Sequence, residues 1–400
     1  MDVIFLLTLV AVIAVAYFTK VNAGLVGLGV AFVLNFFVNG LSGKALLAYF
    51  PVSLTLTLMS MTMLFGIAKT NGTMTIITEK ICAIGKKFKI NMPFLFYVLC
   101  SLVAAAGPGT IITTAIVMPM ALAMANKDKK KEVLIACSVI AGSNTGGLLK
   151  NTPSGAIAYQ LSSQIGMNDY GKVALYCMTA GLIQFVFFFV INGGFKLKYE
   201  DVGEGSKEVT VSQKITMIVL AAAILSIAVL KTDTAFTSFF AILVLLLLKA
   251  CKQDDAIKSA SWSTIILIAG MSTVIGLVDK AGGIDLLANL LSSMMSPKNY
   301  AFIMTCLSGV MSMFSSASGV VMPTLIPTVP TLALSLGGEK MIVKLIATIV
   351  IGSHAVTFSP LSTMGSLAVA NSDNKDDLFS KLLIGSVMSV LICAVLLLFI

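Results

Sequence analysis

Arginine is absent from this 400-residue chain, so every permanent cation is a lysine, and histidine and tryptophan occur once each. Charged residues of all kinds make up 11% of the chain against 58% hydrophobic. No soluble domain of this length covers its surface with so little charge, so a polytopic membrane protein is expected. The 18 acidic residues fall in loops, at the ends of apolar spans or on interfacial pieces. A proton relay needs a carboxylate inside the membrane, which argues against a proton-coupled carrier or a cation/proton antiporter. The apolar interior also has no Cys/His pairing, no metal-ligand spacing and no acid/base pair of carboxylates, which argues against a membrane enzyme. The seven cysteines are scattered through apolar segments and read as small core residues. Residues 3–18 have neither a preceding lysine nor a small-residue cleavage pattern, so they read as a first span rather than a signal peptide.

What the chain does contain is a polar interruption, AGSNTGGLLKNTPSGAI (141–157), between two apolar segments, and a second one, IGSHAVTFSPLSTMGSL (351–367). With Gly142 laid on Gly352, Ser143 falls on Ser353, Thr152 on Ser362 and Gly155 on Gly365, an offset of 210 residues. Non-helical backbone at membrane depth survives only against protein or a watery cavity. Matched interruptions in two halves of a chain point to a transporter binding site.

The rest of the chain follows the same duplication. Spans are expected at 3–18, 23–41 and 46–68. A basic amphipathic helix follows, stepping Met74, Ile77, Ile81, Ile84 and Phe88, with Lys80, Lys86, Lys87 and Lys89 on other faces. Residues 91–125 turn at GPGT (107–110) and read as a re-entrant hairpin. A broken span (134–166) and a complete one (172–195) come next. After a charged linker, 196–214, the order recurs. Spans are expected at 215–231, 234–249 and 260–279, then an amphipathic piece through Ile284, Leu287, Leu291 and Met294. A hairpin over 299–335 with SSASG (315–319) at its turn, a broken span over 342–371 and a last span over 380–400 complete the chain. MTMLFGIAKTNG (61–72) matches MSTVIGLVDKAG (271–282), and Met118-Pro119 matches Met322-Pro323. The expected fold is all-α: two repeats of five spans, each with a hairpin and a broken helix. An odd number of crossings per repeat makes them inverted.

With the N-terminus outside, one face collects about 19 of the 27 lysines and the other about 7, leaving Lys150 at depth. The lysine-rich face is assigned to the cytoplasm, so both termini lie outside. The net charge of +9 then reflects this asymmetry and not nucleic-acid binding.

Neutral oxygens take the place of charge at depth, and they divide into two expected groups. Gly109, Thr110, Asn144, Thr145, Ser315, Ser316, His354 and Thr357 are candidates for substrate contact. Thr113, Ser143, Asn151, Thr152, Ser318, Ser353, Ser362 and Thr363 are candidates for a cation. Hydroxyl, amide and freed carbonyl oxygens suit a hard ion such as Na⁺, and the positive ends of broken helices attract an anion. The plainer alternative is that small residues simply let helices pack closely. Lys150 and His354 either neutralise a substrate carboxylate, or snorkel to an interface and bond to a carbonyl, respectively.

The hairpin, broken-helix, inverted-repeat plan resembles the ion transporter superfamily and, within it, the divalent anion/sodium symporters. From KVNAGL (20–25) through FGIAKTNGT (65–73) to the broken span, the chain looks closest to the malonate/C4-dicarboxylate carrier branch. Neither hairpin tip carries that family's Ser-Asn-Thr; the SNT at 143–145 lies in the broken helix. The resemblance implies an elevator-type carrier, a homodimer, with a scaffold (1–72 and 215–282), interfacial helices (73–89 and 283–297) and moving parts (90–195 and 298–400). It implies a small dicarboxylate as substrate, Na⁺ as coupling ion with no other cofactor, and a bacterial-type inner membrane. A cation-independent exchanger or exporter and an anion channel remain as alternatives.

Overall fold

The structure, a computed structural model, describes residues 2–36, 43–87, 90–125, 128–196 and 208–399. Lys89, Lys127, Lys198, Lys207 and most of the expected linker lie outside these residues. Among the described residues every regular element is a helix. Among the described residues six helical stretches are long and apolar enough to cross a membrane, alongside eight shorter apolar ones. The chain is a multi-pass membrane protein.

The element order of one half recurs in the other. Asp2–Thr19, Ala23–Leu34 and Val52–Thr70 correspond to Val211–Val229, Thr234–Leu247 and Trp262–Lys280. The amphipathic pieces are helices Thr73–Lys87 and Gly283–Met294. Each follows a left-handed glycine, Gly72 at φ 78° and Gly282 at φ 80°, which end the MTMLFGIAKTNG and MSTVIGLVDKAG segments. A side chain at this φ crowds its own backbone, so the turn from span to interface is written as glycine in both halves. The hairpins pair Met92–Ala105 with Gly109–Ala123, and Tyr300–Phe314 with a second arm running from Ala317 to Leu336. The broken helices are Lys129–Gly147 with Pro153–Gln164, and Lys340–Ala355 with Thr363–Ala370. Gly171–Ile191 and Lys375–Leu396 close the halves.

Two boundaries differ from expectation for local reasons. The expected linker ends early, because Val211–Val229 starts inside it behind a reciprocal cap: Gln213 N–H donates to Thr210 Oγ1 and Thr210 N–H to Gln213 Oε1. The TVSQ signature of that cap stands in the sequence. The second arm of the second hairpin splits into π-helical, α, 3-10 and α pieces, where Pro323, Pro327 and Pro330 each remove an N–H from the ladder. The first hairpin's second arm contains only Pro119 and stays one helix.

The halves interlock. Ala23–Leu34 packs on Trp262–Lys280 of the other half, and Thr234–Leu247 packs in return on Val52–Thr70. Around this, Lys129–Gly147 is enclosed by both arms of the first hairpin and by Gly171–Ile191. Lys340–Ala355 is held likewise by Tyr300–Phe314, Val329–Leu336 and Lys375–Leu396. Gln184, buried in the span closing the first half, donates to Ser389 Oγ (2.9 Å) in the span closing the second. These contacts bring the two broken helices together at the centre.

Candidate functional site

Both broken helices are interrupted by the same device. Thr152 Oγ1 donates to the carbonyls of Gly147 (2.6 Å) and Leu149 (2.7 Å) and accepts from Gly155 N–H (3.3 Å). Ser362 Oγ repeats this on the Thr357 (2.6 Å) and Ser359 (2.7 Å) carbonyls and Gly365 N–H (3.1 Å). Each hydroxyl closes the carbonyl end of one half-helix and caps the amide end of the next, which is what a helix break inside a membrane requires. A Cβ at Gly155 or Gly365 would collide with the carbonyl of Leu149 or Ser359.

The breaks meet through Asn144. Its Nδ2 donates to Thr357 Oγ1 (2.8 Å) and approaches the His354 carbonyl (3.4 Å), the residue 210 positions on in the duplicated register. The Oδ1 of Asn144 is buried without a hydrogen-bond partner, as is Thr113 Oγ1 nearby. The neighbouring Ser143 accepts from Thr114 Oγ1 (3.0 Å). Uncommitted oxygens of this kind are where a hard cation or a water binds. His354 is buried, with Nδ1 3.0 Å from the Val350 carbonyl and 3.3 Å from Ser353 Oγ.

A cavity of about 650 Å³ opens beside this junction. Thr110, Ser154, Ala317 with Ser318, and Thr363 with Met364 all line it. Each lies in the first turn of a different helical segment, starting at Gly109, Pro153, Ala317 and Thr363. Four amide ends, each carrying about half a positive charge, therefore converge on one space. The opposite wall is Ile13 to Ala23 of the first two helices together with Ser263 and Leu267.

Of the expected substrate contacts, Thr110, Ser315, Ser316, His354 and Thr357 line the cavity, as do Ser318, Ser362 and Thr363 from the expected cation set. Gly109 instead packs on Pro153 at the first hairpin's tip. Thr145 bonds back to the Ala141 carbonyl (2.8 Å) and to Tyr97 Oη (3.2 Å), facing the span Gly171–Ile191 at Gly181. Ser353 donates to the Val350 carbonyl (3.0 Å), and Asn151 is half-buried in the break. Lys150 lies outside the cavity lining, its Nζ 3.8 Å from the centre of the Tyr159 ring, a cation–π seat that accounts for its position in the break.

Ser318, from the expected cation set, donates to Ser154 Oγ (3.0 Å), tying the second hairpin's tip to the first broken helix. Other participants escaped the sequence reading. Tyr17, Lys20 and Asn22 reach the cavity from the end of the first helix and the turn after it, and no sequence signal marked them as cavity residues. Glu132 was readable as lying at a span end, yet its carboxylate is buried, accepting from Ser372 Oγ and from Asn374 Nδ2 (3.0 Å). The six described cysteines are free.

No curated protein matches the chain by sequence. In fold it is similar to the crystal structure of the Alcanivorax borkumensis YdaH transporter, described as having an unusual topology, with a TM-score of 0.62 at 13% identity. That likeness covers 99% of this chain and 98% of the other. Residues 1–147, from the first span to the first break, match the family of the dicarboxylate carrier protein MatC N-terminus.

Proposed function

We propose that this chain is a secondary carrier that imports a small dicarboxylate with Na⁺ by an elevator motion, and not an enzyme. The observation that carries the reading is the convergence of four helix amide ends on a hydroxyl-lined cavity with no acidic residue in its lining. Such a space binds an anion of two charges, one carboxylate near the first hairpin and the other near the second. Thr110, Ser316 and Thr357 contact the anion, with His354 behind them. Thr113 and Asn144 are the first cation site, because they offer the uncommitted oxygens, with Ser143 beside them. Thr152 and Ser362 hold the breaks in shape.

The halves are inverted repeats, and their asymmetry supports the elevator. The first hairpin docks Gly107 on Phe65, whereas the second docks Gly319 on Leu267. In the duplicated register Phe65 corresponds to Ile275, eight residues from Leu267, or about 12 Å along a helix. Exchanging the two docking heights would move the site along the scaffold. Lys20 and Ser263, expected on the lysine-rich face, line the cavity, which supports reading this arrangement as inward-open.

Uptake of labelled malonate or succinate into proteoliposomes tests the reading. Uptake is expected with an inward Na⁺ gradient and to collapse in K⁺. Equal uptake in both buffers would favour an exchanger, and currents without counterflow would favour a channel.

A further inference from the structure

Of the described residues lining the cavity, Lys20 is the only one with a permanent charge, and His354 is the only other able to take a positive one. Lys20 sits at φ 60°, directly after helix Asp2–Thr19 and two residues before Asn22, which caps the next helix by accepting from Gly24 N–H. Asn22 also donates to the Ser263 carbonyl (2.9 Å), fixing the turn against the start of Trp262–Lys280. The Lys20 ammonium lies 4.6 Å from the centre of the Tyr17 ring. Tyr17 in turn meets Phe314, the last residue of the second hairpin's first arm, edge to face at 5.9 Å. The charge is thus held at the mouth, over the contact between the first helix and the hairpin tip.

The turn is duplicated. Lys231 stands at φ 53° after Val211–Val229, two residues before Asp233, which caps its helix through Phe236 N–H (3.0 Å). Lys-Val-Asn and Lys-Thr-Asp occupy the same place in the two halves. Among the described residues only Lys249 shares this left-handed backbone without being glycine. Glycine would fit there without strain, so lysine at both turns calls for a reason beyond the turn itself. Lys231 is exposed and outside the cavity lining.

We propose that Lys20 draws the dianion to the cavity mouth on its own face, and that Lys231 does the same on the opposite face when the carrier opens there. This rests on the dicarboxylate-carrier reading. An odd number of crossings separates the two lysines, so they lie on opposite faces. A charge at a narrow mouth raises the local anion concentration and is screened by salt.

The test is sided transport in proteoliposomes of the full chain, with Lys20→Gln and Lys231→Gln measured from each face at low and high ionic strength. Lys20→Gln is expected to raise KM about three- to tenfold from the lysine-rich face only, with kcat unchanged and the effect lost in high salt. Lys231→Gln is expected to do so from the other face only. Lys→Arg is expected to restore each KM, and Lys→Gly, which suits the backbone, to behave like Gln. If both variants keep wild-type KM values from both faces, or both act on the same face, the lysine assignment falls while the carrier reading stands. Failure of the wild-type chain to transport any dicarboxylate would overturn both.

Discussion

The two hairpins carry out one plan in two ways. The first turns on Gly107-Pro108-Gly109, with both glycines at positive φ (134° and 74°), and its tip is buried against Phe65 and Pro153. The second turns on serines, with Ser316 Oγ accepting from Gly319 N–H (3.1 Å), and Ser312 to Ser318 face the cavity. The first tip is buried, with Thr110 reaching the cavity; the second lines the cavity throughout, ahead of an arm segmented by prolines. A duplicated plan thus yields two environments, because each tip packs against different neighbours. The asymmetry follows the divergence of sequence: GPGT against SSASG at the tips, and one proline against three in the second arms.

The largest expected effect comes from breaking the junction between the two broken helices that the hairpins flank. Asn144→Leu leaves Thr357 without its donor and shifts one break against the other, and is expected to lower kcat/KM for uptake about a hundredfold. Initial-rate uptake checks it. Retention of more than a third of wild-type activity would remove Asn144 from the site.

A smaller effect tests the docking of the open hairpin. A Cβ at Gly319 would run into the Leu267 side chain, so Gly319→Ala is expected to disfavour this state and slow transport about tenfold. Leu267→Ala in the same chain is expected to return most of the rate, since a flexible side chain and not backbone causes the clash. A double variant no better than the single one would mean that Gly319 serves the backbone of the tip instead.

The smallest effect concerns the feature in which the halves agree. Thr152→Ala and Ser362→Ala each remove a cap and two donated bonds, and each is expected to cost about 1–2 kcal/mol, read as a lowered Tm. Near-equal losses fit equivalent breaks. A loss of transport at full stability for either would instead place that hydroxyl on substrate or cation.

Much of the fold was legible before any coordinates. The interruptions at 141–157 and 351–367, the hairpin turns and the amphipathic pieces all lie where composition and period placed them, and the Gly142/Gly352 register holds down to paired capping hydroxyls. The site was legible only as a set of oxygens. Thr145 and Asn144 are neighbours of similar polarity, yet one faces a packed span and the other the second break. That choice depends on the rotation of Lys129–Gly147 against its neighbours, which no local pattern encodes.

The sequence by itself determined that the chain spans a membrane, that its plan is duplicated and where its helices must break, because apolar length, glycine, proline and capping residues act through local backbone energetics. Only the tertiary structure decided which hydroxyls are already spent on capping, which amide ends converge, and that Lys20 stands at the mouth of the cavity. Those depend on how residues some two hundred positions apart pack together, which local backbone preferences do not encode.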